Sequence, residues 1–100
     1  MMKVLFDTAK ANELARDGEM ESTVKAILED AKPEAAYFVA EEGQRSAVLF
    51  VNFDQPSDLP RFAEPWFLAF GATITVQPAM TAEDLAGAAA GIEAAVRRFG

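Results

Sequence analysis

The chain has 100 residues, the size of one domain, and its nine Lys and Arg residues against sixteen Asp and Glu residues give a net charge of −7. It contains neither His nor Cys, which excludes disulfides, thiolate or histidine zinc sites, thiol nucleophiles and Ser-His-Asp catalysis. The acidic balance disfavours nucleic acid and anionic membrane surfaces as partners, and no apolar run could span a bilayer or serve as a signal peptide, so we expect a cytoplasmic protein.

Hydrophobic periodicity and turn residues divide the chain into seven elements. In chain order these are strand 3–8, helix 12–31, strands 35–41 and 45–53, helix 59–70, strand 72–77 and helix 82–99. Asn12, Ser57 and Thr81 are the expected helix N-caps, because their side chains can accept a backbone hydrogen bond of the first turn. Gly18 is expected to kink the first helix, and Lys32 to turn extended before Pro33.

The order of these elements predicts the fold. Right-handed crossovers and one central hairpin give a four-stranded antiparallel sheet with strand order 4-1-3-2 and helices on one face. The predicted class is therefore α+β, a ferredoxin-like βαββαβ arrangement with an added C-terminal helix. We expect a single domain over residues 1–100.

The helix-free face of this sheet is predicted to be too apolar for exposure to water. A two-residue turn at 42–43 pairs Phe38 with Ala47 and turns the alternate residues of both strands to the other face. That face then carries five apolar side chains: Leu5, Tyr37, Val39, Val48 and Phe50. Such a patch usually marks an interface, and a second copy of the chain is the simplest cover. The alternative cover is the C-terminal helix of the same chain.

Both the order of elements and the segment 58–85, DLPRFAEPWFLAFGATITVQPAMTAEDL, carry a family resemblance. The order resembles the dimeric α+β-barrel superfamily, which includes muconolactone isomerase-like enzymes and small monooxygenases of antibiotic synthesis. The segment is similar to small uncharacterised bacterial proteins of that shape, with a Glu-Pro step at 64–65 and Pro-x-Met at 78–80. The resemblance implies a homodimer, but no catalytic residue carries over, because the histidines of several superfamily enzymes have no counterpart.

Three residues are weak candidates for catalysis. Asp7 could act as a general base and Tyr37 as a hydrogen-bond donor in a pocket at the dimer seam, and Arg45 is the third candidate. The simpler interpretation makes Asp7 a solvated carboxylate at a strand end and Tyr37 an interface residue. No phosphate-binding or dinucleotide-binding motif is present, and we expect neither a cofactor nor a metal.

Three further residues are weak candidates for ligand binding. Asn52 could line the same seam pocket, whereas Phe62 and Trp66 belong to an aromatic stripe that could form the wall of an apolar cavity. Such a stripe is more often simply part of the core. The sequence therefore predicts a homodimeric binding or assembly module. The alternative is a cofactor-independent enzyme, isomerase- or monooxygenase-like, acting on a small apolar or aromatic molecule.

Overall fold

Four strands and five α-helices make up the chain in a computed structural model that describes residues 1–100. The strands are β1 (Met2–Leu5), β2 (Ala35–Glu41), β3 (Gln44–Phe50) and β4 (Thr73–Val76). The helices are α1 (Thr8–Arg16), α2 (Met20–Ala31), α3 (Leu59–Phe70), α4 (Ala82–Gly87) and α5 (Ala89–Phe99). The α+β class is confirmed, but the predicted helices 12–31 and 82–99 are each two separate helices.

The strands form one open antiparallel sheet with the order β2-β3-β1-β4, which is the predicted order read from the opposite edge. Glu42 and Gly43 form the turn between β2 and β3, with φ values of 50° and 80°. Two positive φ angles are typical of the two-residue hairpin turn that matches strand twist. Phe38 lies opposite Ala47, so the predicted register, and with it the predicted division into two faces, is confirmed.

Helices α1, α2 and α3 cover one face of the sheet, and the core lies between the two layers. Its ten buried residues are Met2, Val4, Phe6, Ala11, Ile27, Ala47, Leu49, Phe62, Trp66 and Phe70. Phe6 stacks on Phe70 with the ring centroids 4.4 Å apart, which ties the end of β1 to α3. The alternation within β1 and β3 thus directs every second side chain into a closed apolar layer.

The predicted N-cap of the first helix is wrong. Helix α1 begins four residues before Asn12, because the Asp7 carboxylate accepts the backbone N–H of Lys10 at 3.0 Å and caps the helix there. Asn12 instead accepts a hydrogen bond from the Arg45 guanidinium at 2.8 Å. Gly18, with a φ of 71°, ends α1 completely and does not merely kink a continuous helix.

The predicted N-cap at Ser57 is also wrong. A 3₁₀ turn at Pro56–Asp58 precedes α3. The Asp58 carboxylate accepts the backbone N–H groups of Asp54 and Gln55 at 2.9 and 3.2 Å. The carboxylate therefore caps the 3₁₀ turn, and α3 starts directly after it without a side-chain N-cap hydrogen bond.

A C-terminal arm, defined as α4 and α5 together (residues 82–99), extends away from the sheet. Thr81 and Asp84 form the predicted reciprocal capping box at its start, and Ala88 separates the two helices. No residue of α5 is buried. The longest dimension is 59 Å and the Cα radius of gyration is 17.2 Å, against about 13 Å for a compact 100-residue domain. The arm therefore does not cover the sheet of its own chain.

Lys32 ends α2 in the left-handed conformation, with φ 48° and ψ 58°, where an extended residue was predicted. Pro33 disfavours right-handed helical angles for the residue before it. A left-handed residue also avoids those angles, and its N–H still reaches the Leu28 carbonyl at 2.9 Å. The C-cap hydrogen bond therefore decides the conformation, at the cost of placing a non-glycine residue at positive φ.

We expect Lys32→Gly to stabilise the protein by about 1 kcal/mol, because glycine has no Cβ to oppose the left-handed conformation. Ala26→Gly, at an exposed position in the middle of α2, is the matched control. It should destabilise by about 1 kcal/mol, the usual cost of glycine inside a helix. Urea unfolding followed by circular dichroism measures both. Equal destabilisation by the two variants would contradict the assignment of strain to Lys32.

Candidate functional site

The face of the sheet opposite the core, which we call the open face, has no helix over it. The register places on it Lys3, Leu5, Ala35, Tyr37, Val39, Glu41, Gln44, Ser46, Val48, Phe50, Thr73 and Thr75. All five predicted interface residues are in this set. Tyr37 is 60% exposed and Val39 is 46% exposed, whereas the β4 positions are threonines. The apolar patch therefore lies on β2 and β3, where alternation with polar residues fails.

One ion pair crosses the open face. Lys3 lies opposite Val48, Glu41 lies opposite Gln44, and the ammonium group of Lys3 contacts the carboxylate of Glu41. The pair therefore passes over Ser46, which is almost fully buried although it lies on the open face. Partly exposed pairs of this kind stabilise a protein by at most about 1 kcal/mol. The pair shields one row of the sheet and leaves Tyr37 and the rows around it uncovered.

A groove of about 850 Å³ runs between α2 and the edge strand β2 on the helix-covered side. Its apolar lining includes Phe6, Met20, Val24, Leu28 and Phe38. Phe38 is 52% exposed, although its register partner Ala47 is fully buried. The helix layer therefore stops short of β2 and leaves an apolar trough. Its volume lies within the roughly 300–1,000 Å³ of sites that bind small molecules.

Charged residues form the rim of this groove. Glu21, Lys25 and Glu29 follow one another at four-residue spacing along α2, and Arg45 lies on the sheet side. Residues four apart on a helix share one side, so the α2 rim presents an acidic, a basic and an acidic group in a row. The groove is thus apolar inside and alternately charged along one edge.

A second, smaller groove of about 420 Å³ lies where the chain enters the C-terminal arm. Phe50 and Asn52 line it from the end of β3, and Thr81 and Asp84 line it from the start of the arm. The Asn52 amide donates a hydrogen bond to the Glu34 carboxylate at 3.0 Å. Asn52 therefore stands at the base of the arm, as part of a polar contact within the chain.

The three catalytic candidates do not come together in one chain. Asp7 follows β1 at the hairpin end of the sheet, where its side chain caps α1. Tyr37 projects from the open face, whereas Arg45 lines the groove on the opposite side of the sheet. Asn52 follows the last residue of β3, at the opposite end of the sheet from Asp7. No cavity within a single chain joins these side chains.

The aromatic candidates Phe62 and Trp66 lie in the core and line neither groove. Phe62 stacks on Phe53 with centroids 5.1 Å apart, and Trp66 stacks on Phe6 at 5.7 Å. The indole N–H of Trp66 is buried without a hydrogen-bond partner. The aromatic stripe predicted from the sequence is therefore packed, and its unpaired N–H opposes part of the stability that its area provides.

Two functional features were missed in the sequence. Phe38 was expected to be covered by helices, but its strand is at the sheet edge, a position that the predicted strand order already contained. The spacing of Leu85, Ile92, Val96 and Phe99 predicts an apolar stripe on the C-terminal helix, yet the sequence does not reveal that nothing in the same chain packs on it. In both cases the sequence did not reveal which surfaces the helices cover.

Protein-family models, curated proteins and solved structures were each compared with the chain, and none matches. No helix combines the length and the hydropathy needed to cross a membrane. No group of three or more acidic side chains is placed to hold a metal ion. The geometry of the open face, the groove and the arm is therefore the basis for any functional proposal.

The structure gives Asp7 a defined structural role that a substitution series can test. Asp7→Ala should destabilise the protein by about 1 kcal/mol through loss of the α1 cap, and Asp7→Asn should restore most of that stability, because asparagine caps equally well. Glu13→Ala, at an exposed position on the same helix, should change little. Thermal unfolding measures all three. An Asn variant as unstable as the Ala variant would contradict the cap assignment.

Proposed function

We propose that the protein is a homodimeric binding or assembly module whose two copies pair through their open faces. One observation carries the proposal: Tyr37 and Val39 are about half exposed on a sheet face with no cover in the same chain. Contiguous apolar surface of this kind marks interaction sites in soluble proteins. A two-fold axis between two open faces would bury the patch of each copy with the same patch or its neighbours on the other.

The arrangement of the arm supports this proposal. The competing cover for the open face is the C-terminal helix folded back across it, and α5 has no buried residue. Leu5, Val48 and Phe50 are partly exposed on the same face. If the monomer were the stable form, we would expect the C-terminal arm to pack over these side chains.

We also propose a more specific fold than the α+β class, namely the ferredoxin-like fold. A ferredoxin-like sheet with the order β2-β3-β1-β4 and helices on one face has the layered form from which a dimeric α+β barrel is assembled. In such an assembly the two open faces form the interior of one eight-stranded unit.

The alternative function, a cofactor-independent enzyme acting on a small apolar or aromatic molecule, has less support. Catalysis needs polar groups that converge on a bound substrate. Tyr37 and Arg45 lie on opposite faces of the sheet, and Asp7 is engaged as a helix cap. The groove beside α2 has the size of a ligand site, but its lining is mainly apolar and its charged groups lie at the rim.

The mass of the protein in solution tests the proposed function. Sedimentation equilibrium or light scattering should give twice the chain mass of 10.8 kDa, with dissociation only on dilution. The measurement is repeated over a range of chain concentrations, because the monomer fraction of a dimer rises as the concentration falls. A mass of one chain at every concentration would overturn the proposal.

A further inference from the structure

We infer that α5 of each copy docks in the groove between α2 and β2 of the second copy, so that the two chains exchange C-terminal arms. The inference rests on the proposed homodimer and adds a second contact region, outside the open face. It also closes the groove with residues from the other chain. Three observations support it. The arm has no packing partner in its own chain, the arm and the groove match in length and charge, and the arm and the groove lie at opposite edges of the sheet.

The arm needs a packing partner. Its apolar stripe is more than half exposed at every position: Leu85, Ile92, Val96 and Phe99. Helix α5 has 11 residues, and isolated helices shorter than about 12–15 residues are marginal in water. Amphipathic helices of this length obtain most of their stability from packing their apolar face. A helix whose whole apolar face is wet is therefore expected to dock on another surface.

The groove matches this helix in length. Its helical wall presents Met20, Val24 and Leu28 at four-residue intervals, which spans about 12 Å along α2. The α5 stripe presents Ile92, Val96 and Phe99, at intervals of four and three residues, over a similar length. A stripe with these intervals is typical of a helix face that packs on another surface.

The charges at the rim match as well. On α2, Glu21, Lys25 and Glu29 each follow an apolar residue of the groove wall directly, and on α5 Glu93 and Arg97 each follow an apolar stripe residue. If α5 runs antiparallel to α2, the charged sides of the two helices coincide. In the register that brings Glu93 beside Lys25, Arg97 lies beside Glu21. Each pair contributes little alone, but the opposite orientation would lose both, so the charges select the direction of docking.

The topology indicates that the groove belongs to a second copy. The arm follows β4, and the groove lies at β2, which is the opposite edge of the sheet. When two open faces pack about a two-fold axis parallel to the strands, β4 of one copy lies over β2 of the other. The arm then begins beside the partner's edge strand β2, whose helix-covered side borders the groove.

Cysteine cross-linking tests the inference, because the chain has no native cysteine and every thiol is introduced. Val24→Cys in an epitope-tagged chain and Val96→Cys in an untagged chain are co-expressed as full-length proteins. The mixture is then oxidised or treated with a short bis-maleimide. A cross-linked heterodimer of intermediate size on a denaturing gel is the expected result. Ala94→Cys, on the opposite side of α5 from the stripe, replaces Val96→Cys as the matched control and should give at least ten-fold less heterodimer.

Each other outcome overturns the inference in a recognisable way. A heterodimer formed by Tyr37→Cys with Val96→Cys, and not by Val24→Cys, would show that the arm covers the partner's open face. A cross-link within one chain carrying both Val24→Cys and Val96→Cys would show that the arm folds onto its own groove. A protein of dimeric mass with no heterodimer would refute arm exchange and leave the proposed homodimer intact. A monomeric mass would refute both.

Discussion

Val39→Asp should convert the dimer into monomers, with the dissociation constant raised about 1,000-fold. Burying a polar group without a partner costs at least about 2 kcal/mol, and the two-fold axis places the new carboxylate in the interface twice. The sum of about 4 kcal/mol corresponds to that fold-change. Sedimentation equilibrium over a range of concentrations measures the shift. Val39 is nearly half exposed in the single chain, so the monomer should fold with an unchanged circular dichroism spectrum.

Leu68→Asp is the control for this prediction. Leu68 is 77% exposed on the outer side of α3, so it receives the same chemical change at a more exposed apolar position away from the open face. Its mass should remain that of the dimer. If both variants are equally dimeric, the open face is not the interface. If both dissociate, the substitution acts through general destabilisation.

Trp66→Ala should cost about 3–5 kcal/mol of unfolding free energy, the usual loss for removing a large aromatic side chain from a core. Trp66 is fully buried and contacts the rings of Phe6 and Phe70. Domains of this size are typically stable by about 5–15 kcal/mol, so the variant should lose a large part of its total stability. Urea unfolding is followed by far-UV circular dichroism, because Trp66 is the only tryptophan and its fluorescence disappears with it.

Trp66→Phe separates the ring from its N–H group. The indole N–H is buried and unpaired, which costs about 1–3 kcal/mol. Phenylalanine removes that penalty while keeping most of the apolar area, so its loss should be less than half that of the Ala variant at the same chain concentration. A loss equal to that of the Ala variant would show that the N–H stabilises the fold, and the assignment of an unpaired donor would be wrong.

Local patterns in the sequence were sufficient for the sheet. The two-residue turn at Glu42 and Gly43 fixes the register of β2 and β3, and period-two alternation then assigns every side chain to a face. The element order with right-handed connections fixes the strand order. For this reason alternation and turn length alone place the five interface candidates, from Leu5 to Phe50, on one face.

Helix boundaries were predicted less well where several caps compete. Asp7, Asn12 and Ser57 are all capable cap residues. Which of them binds a backbone N–H depends on partners distant in sequence, such as the Arg45 guanidinium that binds Asn12. The choice is settled by packing of the whole chain, because local preferences among Asp, Asn and Ser differ by only a fraction of a kcal/mol.

For the candidate site, too, some features follow from local sequence patterns and others from the packing of the whole chain. Composition and alternation in the sequence determined that this chain lacks thiol and imidazole chemistry and that strands β2 and β3 are apolar on both sides. Only the tertiary structure decided that the helix layer stops before Phe38, that Trp66 has no partner for its N–H, and that the arm stands clear of its own sheet. An apolar stripe indicates that a helix or strand face is more stable when it is buried. It does not indicate which other part of the molecule or of a partner buries it, because the hydrophobic effect is non-directional.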